Sequence, residues 1–179
     1  MGARQTDGAW IGVLLAFYSF IAIGIAEGGL GVLLPSILQT FQLTPASVTL
    51  LFLSQITGYV VAALNSGKLS AQIGLARMVL LAAISLTSAL CIYATTTHWP
   101  IMVLAGSFLG LGIGLIDAGM NTFIASDQRN ANKMGFLHAF YGIGALLGPI
   151  IATTLLTMSI SWRSVYFVFA AVVSVVIVG

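Results

Sequence analysis

Long apolar runs with very little charge are the feature that most limits what this chain can fold into. Its 179 residues are 59% hydrophobic and only 6% charged, whereas a typical soluble domain is roughly 25% charged. A soluble fold of this size needs many more polar side chains to cover its surface. The sequence therefore predicts an all-α membrane protein, because a helix satisfies its own backbone hydrogen bonds in lipid.

Six runs are long enough to cross the bilayer core, which needs about 20 apolar residues in a helix. In the first run, Pro35 is expected to bend or end the outer part of the helix. The second is expected to begin with Thr44 as N-cap and Pro45 at the first helical position. The predicted spans are residues 9–38, 44–66, 77–95, 99–125, 133–158 and 162–179.

The basic residues predict how these spans are oriented. Only Arg163 is expected on the side opposite the N terminus, where it pairs with headgroups or with a neighbouring helix. Because basic residues concentrate on the cytoplasmic side, we expect a multi-pass protein of the plasma or inner membrane with a cytoplasmic N terminus. The other five basic residues are expected on that cytoplasmic side: Arg4, Lys68, Arg77, Arg129 and Lys133.

A weak internal repeat of about 90 residues runs through the chain. The segment IAEGGLG at 25–31 aligns with LIDAGMN at 115–121, so that Glu27 matches Asp117 and Gly29 matches Gly119. Each half holds three spans, and an odd number of spans inverts the second copy in the membrane. We therefore expect one six-helix bundle built from inverted repeats at 9–95 and 99–179. The sixth span has just enough residues to cross, so a second six-helix half is expected beyond residue 179.

Glu27 and Asp117 are the two acidic residues inside predicted spans. A charge at the bilayer centre costs roughly 2.5–3.5 kcal/mol, so such residues normally face a wet cavity or a partner. One interpretation is a protonated acid bonded to a neighbouring helix, and the preferred one is proton coupling or substrate binding. At about 1.5 Å per residue, the two acids are expected on opposite sides of the midplane, without contact, each serving one stage of a proton path.

Four other polar residues are candidates for the same region. Asn121 follows Asp117 by one helical turn and shares its face. His138 titrates near neutral pH, and it either joins these two residues or bonds a backbone carbonyl. Tyr141 either offers a ring and a hydroxyl to a sugar-like solute or simply packs. Gln55 is a polar group in the middle of the second span.

Small residues spaced by four are interpreted as packing faces that let helices approach closely. They do not form a phosphate-binding loop, because no Walker lysine follows a glycine run. The two faces consist of Gly106, Gly110 and Gly114, and of Gly58, Ala62 and Ser66.

Several functional classes are not expected. The net charge of +2 is small and dispersed, which disfavours binding to nucleic acid. The single cysteine, Cys91, cannot form an intramolecular disulfide. The enzyme motifs HExxH and GxSxG do not occur, and His98 and His138 are predicted on opposite sides of the membrane, so they cannot share a metal. Neither enzymatic activity nor a cofactor is expected, apart from a proton or sodium as coupling ion.

The segment GKLSAQIGLAR, residues 67–77, resembles the signature loop that the major facilitator superfamily carries between its second and third helices. The matching positions are Gly67, Leu69, Ser70 and Gly74, and the segment ends at Arg77. Ala71 stands where the superfamily has an acid. The resemblance implies that this loop takes part in the conformational change of a transporter.

A narrower resemblance is to the fucose:proton and glucose symporter branch of that superfamily. It rests on IDAGMN in the fourth span, on Glu27 within AEGGLGVLLP in the first, and on LHAFYGIGALLGP in the fifth. The branch implies proton- or sodium-coupled transport of a sugar by alternating access between two six-helix halves in the bilayer. We expect proton coupling through Glu27, Asp117 and His138, and hydrogen bonds to the solute from Asn121, Gln55 and Tyr141.

A competing resemblance is to the fifth-helix motif of proton antiporters, G-x8-G-x3-G-P, which Gly135, Gly144, Gly148 and Pro149 match. It implies efflux of a drug or metabolite. Further alternatives are a non-transporting membrane protein on the same fold, and a six-helix chain that works as a homodimer.

Overall fold

The structure, a computed structural model, describes residues 2–126 and 133–178, with side chains from residue 10 onward. Arg129 and Gly179 of the predictions lie outside the described residues, as does the side chain of Arg4. The described chain forms seven α-helices and one 3₁₀ turn: α1 (Gly2–Gly28), α2 (Leu30–Phe41), the turn Pro45–Ser47, α3 (Val48–Ile73), α4 (Leu75–Thr95), α5 (Trp99–Ala125), α6 (Lys133–Thr157) and α7 (Trp162–Val178).

Five helical stretches are long and apolar enough to cross a membrane: Trp10–Phe41, Pro45–Ile73, Leu75–Thr95, Trp99–Ala125 and Lys133–Thr157. The first of them comprises most of α1 together with α2. The sixth predicted span corresponds to α7, an apolar helix of 17 described residues. The prediction of an all-α membrane protein is confirmed.

The first span is interrupted at Gly29, and Pro35 does not end the helix, which was one of the two outcomes expected there. Pro35 sits inside α2, which continues to Phe41. Neighbouring helices pack closely at this interruption. A methyl group on Gly28 would overlap the backbone of Ala145, and one on Gly29 would overlap the ring of Phe169. Both glycines therefore allow α6 and α7 to pack closely against this part of the first span.

The second span begins at Pro45 as predicted, but its expected cap does not form. The Thr44 hydroxyl lies 3.1 Å from the Ser47 hydroxyl and makes no capping bond to the backbone. A 3₁₀ turn, Pro45–Ser47, precedes α3 instead.

The segment predicted as a conformational loop is mostly helical. Gly67, Leu69 and Ser70 belong to the last turns of α3, and the Ser70 hydroxyl bonds the Gly67 carbonyl at 3.0 Å. Gly74 alone makes the turn, with φ of +85°, a conformation that favours glycine because it has no Cβ. Arg77 already lies in the first turn of α4. The expectation of an extended loop is therefore corrected to two helices joined by one residue.

The helices pack in the order that inverted repeats require. The most extensive contacts join α1 to α6 and α3 to α5, and α4 packs on both α5 and α7. Inversion exchanges the first span with the fourth and the second with the fifth. The α1–α6 pair is therefore the counterpart of the α5–α3 pair.

Glycines allow the backbones of each pair to touch, as the packing faces predicted. A methyl group on Gly110 would overlap the Gln55 carbonyl, and one on Gly58 would overlap the Ser107 carbonyl. Gly24 and Gly114 occupy matching repeat positions. Added methyl groups there would meet the backbones of Tyr141 and Tyr59, respectively. Ser66 instead bonds the Ala63 carbonyl within its own helix.

Arg163 pairs with a neighbouring helix, which was one of the two expected outcomes. Its guanidinium donates to the backbone carbonyls of Tyr93 and Thr96, at the C-terminal end of α4. It also lies 4.4 Å from the centroid of the Trp162 ring. A cation at a helix C terminus stabilises the exposed carbonyls, so this residue ties α7 to α4.

We expect Gly110→Ala to destabilise the protein, because the new methyl group overlaps the Gln55 backbone across the α3–α5 interface. Overpacking of this kind costs roughly 1–3 kcal/mol. Gly142→Ala is the matched control, since no atom lies within 4 Å of its added methyl group. Thermal unfolding in detergent should show a lower midpoint for Gly110→Ala alone; equal midpoints for both variants would contradict close packing at Gly110.

Candidate functional site

Two cavities lie one above the other between the helix pairs. The helices alternate in direction, so the beginning of α1, the α3–α4 turn and the beginning of α6 share one face of the bundle, here called the N-face. The opposite side, which holds the α4–α5 connection, is the far face. One cavity of about 350 Å³ lies nearer the N-face and the other, of about 370 Å³, nearer the far face.

The N-face cavity contains three of the predicted site residues that the far-face cavity lacks: Asp117, His138 and Tyr141. The far-face cavity contains Gln55, together with Phe52, Tyr93 and Tyr166. Three side chains line both cavities and therefore form the boundary between them: Glu27, Tyr59 and Ile113.

Asp117 accepts a hydrogen bond at each carboxylate oxygen. The Tyr59 hydroxyl, from α3, donates to Oδ2 at 2.7 Å. The Asn121 amide, one turn further along α5, donates to Oδ1 at 2.8 Å and to the Asp117 carbonyl at 2.9 Å. The Asn121 amide nitrogen can donate but cannot accept. The arrangement thus suits an ionised carboxylate at Asp117.

Glu27 has a single described donor. The Tyr141 hydroxyl, from α6, bonds its Oε2 at 2.9 Å. The contact is possible because Gly24 and Gly28 bring the α6 backbone against α1. Its other carboxylate oxygen has no hydrogen bond among the described residues, and the side chain is exposed.

The two carboxylates are therefore held by tyrosines in equivalent places. Glu27 matches Asp117 in the repeat, and each is bonded by a tyrosine of the second span of one repeat. Sequence reasoning identified Tyr141 and missed Tyr59. The signal was available, because both tyrosines belong to spans that pair with the acid-bearing helices, but only the packing shows which residues face each other.

The depth order of the two acids agrees with the prediction. Glu27 reaches the far-face cavity and Asp117 does not. Both nevertheless line the N-face cavity, so they share one environment.

The other candidates differ in what they contact. His138 lines the same cavity as Asp117 and meets the Phe20 ring edge-on, with centroids 5.7 Å apart. Asn121 acts through its bonds to Asp117. The Gln55 amide donates to the Tyr93 hydroxyl at 3.1 Å, which fixes its orientation in the far-face cavity.

The lining of both cavities holds two carboxylates and neither lysine nor arginine among the described residues. Two ionised carboxylates in such a site repel each other strongly, since the local dielectric constant is lower than that of water. Protons or a bound cation would balance this charge, so the lining can accept positive charge.

Comparison with known proteins decides the family. The model of the Major Facilitator Superfamily matches residues 12–179. The chain belongs to the major facilitator superfamily. The match agrees with the helix pairing and the inverted repeats described above.

Among its relatives, the glucose/mannose transporter GlcP of Bacillus subtilis is 26% identical over 93% of this chain and 41% of its own length. Bypass of stop codon protein 6 of Saccharomyces cerevisiae is 31% identical over 76% of this chain and 28% of its own. The sodium-dependent glucose transporter 1A of Mus musculus is 21% identical over 76% and 32%, respectively. The chain thus spans less than half the length of these curated relatives.

We expect Glu27→Gln to raise thermal stability at neutral pH more than Asp117→Asn does. Each substitution removes one of two like charges in the cavity. The glutamine can still accept from Tyr141, whereas the asparagine has one acceptor oxygen for the two donors Tyr59 and Asn121, and one lost bond costs roughly 1 kcal/mol. Thermal unfolding of both variants beside the parent gives the comparison, and a larger gain from Asp117→Asn would contradict the hydrogen-bond assignment.

Proposed function

We propose that the protein is a secondary transporter that moves a small polar solute, a sugar, by proton-coupled alternating access. The observation that carries the proposal is the pair of carboxylates, each bonded by a tyrosine of the packed partner helix, in a cavity without a balancing lysine or arginine among its described lining. Ionisable groups inside membrane spans commonly serve proton relays. Two of the relatives carry glucose in their names.

The two acids have different parts in this proposal. Glu27 stands at the boundary of both cavities and keeps one oxygen without a described donor, so it takes up and releases the coupling proton. Asp117, with donors at both oxygens, acts nearer the N-face. His138 lines the N-face cavity beside Asp117 and passes protons between this cavity and the nearby surface.

The solute binds in the far-face cavity at Gln55. Its amide oxygen and one N–H have no described partner, while Tyr93 accepts its other N–H and orients the group. A sugar hydroxyl both donates and accepts, so an amide can bond two of them. The exposed rings of Phe52 and Tyr59 offer apolar faces beside it. Tyr141 and Asn121 contribute indirectly, by holding the two carboxylates.

A second six-helix half completes the site in this proposal. The α3 and α6 helices are the two least buried of the five candidate spans, and both contribute to the cavities. Alternating access between two halves around a midplane site is how such folds work. A homodimer of this chain is the alternative source of the second half. The distribution of basic residues supports a cytoplasmic N terminus.

A proton antiporter that exports an organic cation is the second candidate function. Two carboxylates lie beside the rings of Phe20, Tyr59 and Tyr141. An organic cation is attracted both to carboxylates and to the faces of aromatic rings. The antiporter-like glycines give weaker support. Gly144 and Gly148 meet the backbones of Ile21 and Ile25, so helix packing already accounts for them.

The coupling role is tested with the protein as its gene encodes it, reconstituted in liposomes with glucose as the probe. We expect Glu27→Gln to keep counterflow of labelled glucose and to lose accumulation driven by a pH gradient, because binding persists while the proton carrier is gone. Tyr18→Phe is the control, since its hydroxyl bonds the Val172 carbonyl at 2.6 Å, away from both cavities.

Full pH-driven accumulation by both Glu27→Gln and Asp117→Asn would refute coupling through these acids. Glucose accumulation driven by a sodium gradient alone would show that sodium, and not a proton, is the coupling ion. Exchange of an organic cation for protons, without glucose counterflow, would favour the antiporter.

A further inference from the structure

Tyr59 occupies an unusual place in the site. It is one of three side chains that line both cavities, the others being Glu27 and Ile113. Its side chain is 38% exposed, so packing alone does not fix the ring. The hydrogen bond of 2.7 Å from its hydroxyl to Asp117 Oδ2 holds the ring at the boundary.

The inverted repeat gives the two tyrosine–carboxylate pairs opposite arrangements. In the first pair the acid, Glu27, stands at the boundary, and Tyr141 anchors it from the N-face cavity. In the second pair the phenol of Tyr59 stands at the boundary, and Asp117 anchors it from the N-face cavity. The charge state of Asp117 therefore acts on a ring that separates the two cavities.

We propose that Tyr59 is a positioning residue that closes the passage between the two cavities, and that Asp117 holds it there only while its carboxylate is ionised. The inference rests on the proposed transport function and assigns a proton-controlled gate to its site. A carboxylate accepts a stronger hydrogen bond than a neutral carboxyl group does. When a proton arriving from the N-face binds the carboxylate, the bond to Tyr59 weakens, the ring leaves the boundary and the cavities connect.

Several groups face Asp117 and bear on its protonation. Tyr59 faces it from α3, Glu27 from α1, and both His138 and Tyr141 from α6. No residue of α4 belongs to the described lining of the N-face cavity. His138 lines the same cavity, so the test must separate its contribution from that of Asp117.

Cysteine labelling of the full protein in oriented membrane vesicles tests the gate. Cys91 and any cysteine outside these 179 residues are replaced by alanine, and Phe52→Cys places a thiol in the far-face cavity. A membrane-impermeant thiosulfonate reagent is applied from the N-face and, in parallel, from the far face. The measured quantity is the labelling rate from the N-face divided by the labelling rate from the far face. A general loosening of the fold raises both rates and leaves this ratio unchanged.

The parent should show a low ratio at neutral pH and a higher one at mildly acidic pH. Tyr59→Phe should raise the ratio about five- to tenfold at neutral pH, as expected from the loss of one hydrogen bond, and should abolish its pH dependence. Asp117→Asn should behave in the same way. Tyr18→Phe removes one hydroxyl elsewhere in the bundle and should match the parent, and His138→Gln should keep the pH dependence.

A Tyr59→Phe ratio equal to that of Tyr18→Phe at both pH values would overturn the proposal. So would a pH dependence that disappears in His138→Gln and persists in Asp117→Asn. Labelling needs no transported solute, so the two proposals can fail separately. A gate observed in a protein that moves no solute would refute only the transport function, whereas transport without any effect of Tyr59 on labelling would refute only the gate.

Discussion

The close approach of helix backbones within two symmetry-related pairs is the constraint on which the site depends. Glycines of α1 and α5 bring α6 and α3, respectively, into backbone contact. At that distance a tyrosine on one helix reaches a carboxylate on the other. Larger residues at these positions would push the helices apart and remove both tyrosine donors, which would leave Asp117 with Asn121 alone and Glu27 with no described donor in the membrane, at a cost of several kcal/mol.

Symmetry makes the two halves of the site alike, and individual residues make them differ. The repeats supply one tyrosine–carboxylate pair each, placed at slightly different depths because the second repeat is inverted. Asn121 then adds a second donor to Asp117, while Glu27 keeps an oxygen without a described partner. His138 lies on the Asp117 side only. Two acids in matching repeat positions therefore have different surroundings.

Much of the fold could be predicted from the sequence, because apolar length and glycine spacing are local signals. The fourth predicted span, residues 99–125, coincides with α5. Tertiary contacts decided the remainder. The interruption at Gly29 lies against α6 and α7. Residues 67–73 are helical, and Gly74 alone makes the turn. Arg163 bonds carbonyl groups of α4 that are about 70 residues away in the sequence.

The residues of the site could likewise be predicted only in part. An acid inside a span is conspicuous in a sequence, so Glu27 and Asp117 were found, whereas Tyr59 is one aromatic residue among many until its neighbour across the interface is known. The account depends on solute movement being tied to protons through this pair. The most direct measurement is the external pH of a weakly buffered suspension of energy-depleted cells expressing the protein when glucose is added. The account predicts alkalinisation with the parent and none with Glu27→Gln, whereas glucose entry through the parent without any pH change would contradict it.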